Sequence, residues 1–388
     1  MKRAWKSFDY TLLLPLLIVC TLGIIMVYSA SSIVAIAKYG YASDQFFLSQ
    51  LRSLIMGFLL FVVLASVPYH VWKKKIVAVA IYAGGTFVLL LVLVFGRVVN
   101  NAKSWLWGTQ PSELIKLCII IVLARFFAKW HEQGRIAGRS KIGTWGFLFT
   151  VLVLIKMQPD LGTDMLIAAI VGMMIFCSGI RVDVWIKRLL LTSIVWVPLI
   201  CLIVMFGLTK EQYSRIQTFF NPFQDPQGEG FHIINSFIAI ASGGIKGLGL
   251  GNSVQKYGYL PEPHTDFIMA IVSEELGFLG VTVILASLAL IVLKAFKIAQ
   301  RCKDPFGSML AIGVGSMIGI QTIVNVGGVT GLLPLTGVPV PFVSSGGSSL
   351  VANLMAMGIL ANVASQVKAQ EKRTKQPAPQ KPHLVVVK

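Results

Sequence analysis

The sequence predicts an all-α polytopic membrane protein with ten transmembrane helices and both termini in the cytoplasm. Of its 388 residues, 55% are hydrophobic and 13% are charged, whereas a soluble domain carries about 25% charged residues. Mean hydropathy is +0.77. Apolar runs recur along the chain, and many reach the roughly 20 residues that a helix needs to cross a bilayer. This composition leaves no room for a sizeable soluble domain.

Ten apolar segments define the predicted helices. They lie at about 10–30, 51–67, 76–97, 111–128, 143–158, 162–179, 187–208, 267–294, 306–332 and 347–366. The fifth and sixth are separated by "KMQPDLGTD", which fits either one broken helix or two short ones. The first apolar run is about 19 residues long, whereas a signal peptide has about 7–15. We therefore expect the first helix to be retained.

Basic residues set the predicted orientation. The net charge is +18 at pH 7, with 34 Lys and Arg against 16 Asp and Glu. Cytoplasmic loops collect Lys and Arg, so membrane topology accounts for the charge and no nucleic acid partner is required. With the N-terminus inside, most basic residues fall in alternate loops and in the C-terminal tail. The same topology places a large loop between the seventh and eighth helices outside the cell.

Two regions follow from this topology. Residues 1–366 form the membrane domain, and residues 367–388 form a basic tail with three prolines that we expect to be disordered in the cytoplasm. The large outer loop, 209–266, contains "FHIINSFIAIASGGIKGLGLG", which is too short and too rich in glycine to span a bilayer. This stretch predicts a re-entrant or interfacial helix, buried in protein or lining a cavity.

Two polar clusters stand at helix starts. In "QPSELIK", Glu113 and Lys116 share one helical face. Charges inside a membrane face the protein interior or a water-filled cavity, so the two form either a structural ion pair or the wall of a polar substrate cavity. In "QPDLGTD", Asp160 follows a proline and either caps the sixth helix or shapes the cavity.

The outer loop holds further ionisable residues. Arg215 and Lys256 either contact a phosphate or diphosphate or remain solvated loop charges. Asp266 is the last polar residue before the eighth helix. Partial desolvation there raises the pKa of a carboxyl group and makes it a stronger base. The alternative is a helix cap, which Asp266 or Thr265 could provide equally well.

A last polar segment, "GLLPLTGVPVPFVSSGGSSL", separates the final two predicted helices and is expected to fold back between helices. The hydroxyls of Ser344 and Ser348 either bind a phosphate or sugar or satisfy backbone groups at a helix start. No base lies nearby in the sequence, so no serine nucleophile is predicted. The chain also lacks the G-x-x-x-x-G-K-[ST] motif that binds ATP phosphates.

Five motifs together resemble one family. They are "QPSELIKL", "QPDLGT", "NPFQDPQGEGFHIINS", "GLGLGNSVQKYGYLPEPHTDFIMAIVSEELGFLG" and "NVGGVTGLLPLTGVPVPFVSSGGSS". In order and content they resemble the SEDS proteins (shape, elongation, division, sporulation), the RodA, FtsW and SpoVE group of bacteria, from about residue 8 to residue 366. The segment "GGVTGLLPLTGVPVPF" and the basic tail favour the FtsW-like division branch over elongation or sporulation.

The resemblance implies an enzyme. SEDS proteins polymerise lipid II into peptidoglycan at the outer face of the cytoplasmic membrane, beside a class B penicillin-binding protein that cross-links the strands. Membrane proteins of the divisome are further expected partners. The family's essential aspartate stands in the "HTDF" context, which here is Asp266. The resemblance implies that Asp266 is the general base. It also implies that undecaprenyl diphosphate is the leaving group and that the configuration of the anomeric carbon is inverted.

The resemblance also implies supporting roles. Substrate or diphosphate contacts are expected from Arg215, Lys256, Lys116, Glu113 and Lys103. Shaping of the loop or cavity is expected from Glu262, His264, Asp160, Gln110, Ser344 and Ser348. A divalent cation, Mg²⁺ or Mn²⁺, could assist the leaving diphosphate, although the sequence contains no evident multi-carboxylate ligand set.

The sequence departs from the family pattern at two places. The segment "NNAKSWLWGT" is short, with Lys103 where arginine is common, and Ser345 replaces a common tyrosine. Neither change touches Asp266. The alternative functions are a lipid II flippase and a scaffold that recruits the transpeptidase. A flippase needs polar groups through the membrane depth, whereas the polar groups here concentrate in predicted outer loops.

Overall fold

Helices make up almost all of the structure. The computed structural model describes residues 10–99, 102–133, 138–179, 218–224 and 229–375. Its helices are α1 (Tyr10–Tyr39), α2 (Gln45–Ser66), α3 (Lys75–Phe95), α4 (Pro111–Gln133), α5 (Gly138–Lys156), α6 (Leu161–Cys177), α7 (Glu229–Gly243), α8 (Ile268–Arg301), α9 (Pro305–Val329) and α10 (Gly347–Lys375). Short 3₁₀ turns lie at Tyr69–Lys73, Pro222–Gln224 and Gln255–Tyr257.

The fold is that of a polytopic membrane protein. Among the described residues, six helices are long and apolar enough to cross a membrane, namely α1, α2, α3, α8, α9 and α10 as far as Lys372. Helices α4, α5 and α6 coincide with three further predicted segments, and the break at "KMQPDLGTD" separates two helices. The seventh predicted segment, 187–208, lies outside the described residues, so the ten-helix count stays a prediction.

A small hairpin, which the sequence does not predict, lies between α3 and α4. Its strands β1 (Arg97–Val99) and β2 (Ala102–Trp105) pair antiparallel. They occupy the shortened segment "NNAKSWLWGT" and the residues just before it. The two strands are only three and four residues long, too short for an alternating pattern to stand out from the apolar runs around them.

The structure corrects the predicted boundary of the C-terminal tail. Helix α10 continues to Lys375, so residues 367–375 are helical, where the sequence predicts the start of a disordered tail. This stretch is rich in Ala, Gln, Glu and Lys, all strong helix formers, and Val367 belongs to the hydrophobic core. Residues 376–388 lie outside the described part of the chain.

Helix α7 forms in the segment that the sequence predicts to be re-entrant or interfacial. Ser236 Oγ donates a hydrogen bond to the carbonyl oxygen of Val329 at the end of α9 (2.8 Å). Asn235 Nδ2 donates to the carbonyl oxygens of Phe231 (2.9 Å) and Tyr259 (3.3 Å). Helix α7 therefore packs against the end of α9 and against the loop between α7 and α8. Its depth in the membrane stays a prediction.

Helix α8 is interrupted at Gly277, whose φ of 65° and ψ of −165° are not helical. A Cβ on Gly277 would lie 2.4 Å from the backbone nitrogen of Gly247, so the "GLGLG" stretch provides a close backbone contact. Residues 244–249 replace the hydrogen bonds that the break removes. The replacements are Leu248 N to Glu274 O (2.9 Å), Gly249 N to Glu275 O (3.0 Å) and Phe278 N to Gly244 O (2.9 Å).

Replacing Gly277 with alanine is expected to lower the thermal unfolding temperature of the detergent-purified protein. The positive φ alone costs a non-glycine residue about 1–3 kcal/mol, and the new Cβ would collide with Gly247. The matched control is Gly84→Ala in α3, where a Cβ meets no heavy atom within 4 Å. That variant should unfold at or above the wild-type temperature, and equal behaviour of the two variants would contradict the account of the break.

Candidate functional site

Asp266 does not occupy the N-cap position of the helix that follows it. The N-cap of α8 is Phe267, with a φ of −100° and no side-chain capping bond. The hydroxyl of Thr265 donates instead to the carbonyl oxygen of Glu262 (3.2 Å). The N-cap position of α8 is therefore neither Asp266 nor Thr265, while the role of the Asp266 carboxylate stays a prediction. Asp266 is half-buried and lies one position before the cap.

The backbone around Asp266 is held by three successive carbonyl contacts. Asn325 Nδ2 in α9 donates to the carbonyl oxygen of Asp266 (2.9 Å). Ser344 Oγ donates to that of Thr265 (2.8 Å), and the backbone N–H of Ser345 donates to that of His264 (2.8 Å). Residues 264–266 are therefore fixed by α9 on one side and by the polar segment before α10 on the other.

Asp266 lines a small pocket with an empty volume of about 190 Å³. A Cβ on Gly337 would lie 3.5 Å from Asp266 Oδ2, so the segment after α9 closes over the carboxylate. The remaining lining residues are Val324, Asn325, Gly328, Val329, Leu335, Thr336 and Val338. The pocket is therefore formed mainly by α9 and the segment that follows it, with Asp266 at one side.

Glu262 and His264 tie the same loop to the end of α1. Glu262 Oε1 accepts hydrogen bonds from Tyr39 Oη (2.9 Å) and Lys38 Nζ (3.2 Å), and Glu262 Oε2 lies 3.8 Å from His264 Nε2. The buried His264 ring packs on Phe46, with centroids 4.4 Å apart. Both residues thus occupy positions from which they can shape the loop before Asp266.

The pKa values of the Glu262 carboxyl and the His264 imidazole both lie below their usual values. Burial alone would raise the pKa of the Glu262 carboxyl, but His264, Tyr39 and Lys38 outweigh it and hold that pKa below its usual value. Burial lowers the pKa of His264, and the nearby Glu262 compensates only in part. The histidine is therefore neutral and the glutamate ionised at neutral pH.

Lys256 lies in neither of the two predicted environments. The sequence predicts a diphosphate contact or a solvated loop charge, whereas the structure buries Lys256 in an ion pair with Glu275 of α8. Its Nζ lies 2.8 Å from Glu275 Oε1, and the exposed side-chain fractions are 3% and 0%. Ser29 Oγ of α1 donates to both Glu275 oxygens, at 2.7 and 2.6 Å. The ammonium is thus already paired inside the protein.

Glu274 forms a second buried anchor beside this pair. Its carboxylate accepts hydrogen bonds from Ser253 Oγ and from the backbone N–H groups of Val254 (2.9 Å) and Gln255 (3.4 Å). Sequence reasoning missed Glu274 and Glu275, although two glutamates in an apolar helix, "SEELG", are a recognisable signal. Ionisable residues inside a membrane are costly and mark function or a specific partner.

The ion pair predicted between Glu113 and Lys116 is present. Lys116 Nζ lies 2.8 Å from Glu113 Oε2, and both side chains are buried. Glu113 Oε2 nevertheless makes no well-aligned hydrogen bond, so the contact is mainly Coulombic. Such a pair stabilises only when its geometry offsets the loss of hydration. A role in lining a substrate cavity stays a prediction.

Asp160 caps α6, as one of its two interpretations predicts. Its carboxylate accepts from the Thr163 backbone N–H (3.0 Å) and from Thr163 Oγ1 (2.8 Å). Gln110 Nε2 donates to the same carboxylate (3.1 Å), and the Gln110 backbone N–H donates to Ser348 Oγ (3.2 Å). Gln110 therefore links the starts of α4, α6 and α10.

The remaining predicted residues take structural positions or fall outside the described residues. Lys103 Nζ donates to the carbonyl oxygens of Leu93 (2.7 Å) and Val94 (3.2 Å) at the end of α3, where a cation complements the helix dipole. Ser344 and Ser348 both bond backbone groups. Arg215 lies outside the described part of the chain.

A metal-binding cluster does not emerge from the described residues. Within those ranges, no group of three or more His, Cys, Asp and Glu side chains is arranged to hold a metal ion. The side-chain oxygen groups that line the pocket are the Asp266 carboxylate, the Asn325 amide and the Thr336 hydroxyl. The divalent cation stays a prediction.

Long apolar helices, buried charge pairs and a helix interrupted at Gly277 define an integral membrane protein. The chain belongs to the FtsW/RodA/SpoVE family, because the sequence profile of that family, described as cell cycle protein, matches residues 10–369. Bacillus subtilis has a relative named "Probable peptidoglycan glycosyltransferase FtsW" that is 44% identical, covering 97% of this chain and 95% of the relative. Stage V sporulation protein E of the same organism is 39% identical, and the match covers 92% of this chain and 97% of that relative.

Solved structures share the fold. One, described as "Structural coordination of polymerization and crosslinking by a peptidoglycan synthase complex", gives a TM-score of 0.73 at 28% identity, covering 92% of this chain and 97% of the other. The crystal structure of Thermus thermophilus RodA gives 0.65 at 24% identity, covering 93% and 97%. At that lower identity the second match supports the fold alone.

Acidification is expected to destabilise the folded protein through His264 and Glu262. The unfolded chain takes up a proton on histidine below about pH 6.5, while the folded chain resists this because the pKa of His264 is lowered. The lowered pKa of Glu262 acts in the same direction near pH 4. The unfolding temperature of wild type should therefore fall between pH 7.5 and pH 5, and that of His264→Gln should fall less. An equal fall in the unfolding temperatures of wild type and His264→Gln would contradict the lowered pKa of His264 in the folded protein.

Removing the buried ammonium of Lys256 is expected to destabilise the protein strongly. Lys256→Met leaves the Glu275 carboxylate buried without its cation, which costs about 3–5 kcal/mol. The double variant Lys256→Met, Glu275→Gln should recover part of that loss because no uncompensated charge remains. Lys246→Met, on an exposed lysine of the same loop, serves as control and should stay within about 0.5 kcal/mol of wild type. Thermal unfolding in detergent measures all three, and additive losses in the double variant would argue against the pair.

Proposed function

We propose that this chain is a peptidoglycan glycosyltransferase that polymerises lipid II at the outer face of the bacterial cytoplasmic membrane during cell division. The observation that carries the proposal is a relative of that name at 44% identity over nearly the whole of both chains. The position of Asp266 agrees with it, because Asp266 lines a pocket and lies one position before the N-cap of α8.

Asp266 is the general base in this proposal. The 4-hydroxyl of one sugar attacks the anomeric carbon of another, the new C–O bond forms as the bond to diphosphate breaks, and the hydroxyl proton passes to the carboxylate. A base placed within hydrogen-bond reach contributes about 10²–10⁴-fold to such a step. The ties to Asn325, Ser344 and Ser345 hold the backbone of residues 264–266, so the carboxylate needs little rearrangement. A single displacement of this kind inverts the anomeric centre.

The leaving diphosphate requires positive charge, and Arg215 is our preferred residue for this role. Lys256 and Lys116 are each buried and already paired with a glutamate, and Lys103 is bound to carbonyl oxygens of α3. Arg215 is the remaining candidate among the predicted cations, and a guanidinium suits a diphosphate because it donates two parallel hydrogen bonds. If Mg²⁺ or Mn²⁺ takes part, it would neutralise charge on the same leaving group.

A class B penicillin-binding protein is the proposed partner, together with membrane proteins of the divisome. The structural relative at 28% identity is described as a complex in which polymerisation and crosslinking are coordinated, which agrees with such a pairing. The division role is favoured over sporulation because identity to the Bacillus subtilis FtsW relative, 44%, exceeds identity to stage V sporulation protein E, 39%.

Replacing Asp266 with asparagine is expected to abolish polymerisation while leaving the protein folded. The change keeps the side-chain shape and removes the base, so the rate should fall by about 10²-fold or more. Purified protein with its transpeptidase partner is supplied with labelled lipid II, and glycan strands are resolved by gel electrophoresis. Asp304→Asn is the matched control, since Asp304 caps α9 at the end opposite the pocket and asparagine caps equally well.

Three results would separate this enzyme from the other functions of the same fold. Polymerisation by wild type and by Asp304→Asn, but not by Asp266→Asn, supports the base. Equal polymerisation by both variants contradicts it. Movement of lipid II across vesicle membranes without polymer formation would favour a flippase, and partner binding without either activity would favour a scaffold.

A further inference from the structure

Asn325 presents an unused hydrogen-bond acceptor next to Asp266. Its Nδ2 donates to two backbone carbonyl oxygens, those of Asp266 (2.9 Å) and Val338 (2.8 Å). Two carbonyl partners fix which end of the amide carries nitrogen, since a carbonyl can only accept. Oδ1 is thereby left as the acceptor, and it is buried without a hydrogen-bond partner among the described residues.

Five buried amide oxygens lack a hydrogen-bond partner among the described residues, and of these only that of Asn325 belongs to a residue lining the Asp266 pocket. Most buried polar side-chain atoms in proteins have a partner in the protein or in ordered water, and leaving one unsatisfied costs about 1–3 kcal/mol. Asn325 is 5% exposed and lines the same pocket as Asp266. A hydrogen-bond donor that enters this pocket, from water or from a substrate, would satisfy this oxygen.

Two acceptors in one small pocket suit two neighbouring donors. Asp266 takes the proton of the attacking 4-hydroxyl in the proposed reaction, and that hydroxyl has no second hydrogen to offer. A hydroxyl on the adjacent ring carbon can supply one. Asp266 and Asn325 line the same pocket, so adjacent hydroxyls of one sugar ring could reach both side chains.

We infer that Asp266 and Asn325 form a subsite for a vicinal diol, the 3- and 4-hydroxyls of the acceptor sugar of lipid II. Asn325 Oδ1 accepts from the 3-hydroxyl and so orients the 4-hydroxyl toward the carboxylate. The 4-hydroxyl proton passes to Asp266 while its oxygen bonds to the donor's anomeric carbon and diphosphate leaves with the bonding electron pair. Asn325 is thus a specificity-determining residue, and the inference rests on the proposed glycosyltransferase function.

The chain contains a matched control for Asn325. Asn235 is also buried, and its Nδ2 also donates to two backbone carbonyl oxygens. It does not line the Asp266 pocket. Asn325→Ala and Asn235→Ala therefore lose the same two kinds of anchoring bond, and their unfolding temperatures should fall by similar amounts. Only Asn325→Ala should lose the diol contact.

The experiment compares lipid II with an acceptor analogue whose N-acetylglucosamine lacks the 3-hydroxyl. Wild type and Asn235→Ala should use the analogue about 10–100-fold more slowly than lipid II, because it leaves Oδ1 unsatisfied. Asn325→Ala should be slowed by a similar factor on lipid II and should not distinguish the two acceptors. If Asn325→Ala does not fold, the wild-type comparison alone decides, since it needs no substitution.

Several outcomes would overturn the subsite. If wild type used both acceptors at the same rate, Asn325 Oδ1 would not bind the 3-hydroxyl, and water would be its partner in the pocket. Full discrimination by Asn325→Ala would place the 3-hydroxyl elsewhere, and restoration of its rate by raised Mn²⁺ would identify a metal ligand instead. The underlying function is tested separately: if Asp266→Asn still polymerises lipid II, the glycosyltransferase mechanism fails, whereas an inactive Asp266→Asn with a non-discriminating wild type overturns only the diol subsite.

Discussion

The break in α8 at Gly277 is the constraint on which the Asp266 end of the molecule depends. Backbone groups that lose their helical partners within a membrane protein must be satisfied by other protein groups. Residues 244–249 do this directly, and Glu274 holds the following turn through Ser253 and Val254. The short first half of α8 is thus held against the preceding loop, and Asp266 stands at its start.

A second set of contacts makes this arrangement rigid from the other side. Asn325 and Ser344 come from different segments, yet both donate to carbonyl oxygens within residues 264–266. Buried charge on this end is neutralised internally, with Lys256 against Glu275. A catalytic carboxylate is most effective when the groups behind it are fixed before substrate arrives. The polar residues of this region therefore divide between those that face the pocket and those that hold it.

Local features could be predicted from the sequence, and distant contacts could not. The Asp160 cap and the Glu113–Lys116 pair each depend on residues within four positions, so spacing alone reveals them. Lys256 finds a partner 19 residues away. Asn325 is one of several polar residues in α9, and its hydrogen bonds go to two other segments. Hydropathy predicts the long helices well, but it does not detect a three-residue strand or a helix that continues into a charged tail.

The buried charge network also has a consequence for biosynthesis. Ser29 and Glu275 are 246 residues apart in sequence, and ribosomes deliver the N-terminal part of a chain first. The serine hydroxyl of α1 must therefore wait in the bilayer until α8 has been inserted, and Glu275 enters an environment in which its partners already exist. Lys256 also precedes Glu275 in the chain, so the carboxylate is synthesised after both of its partners.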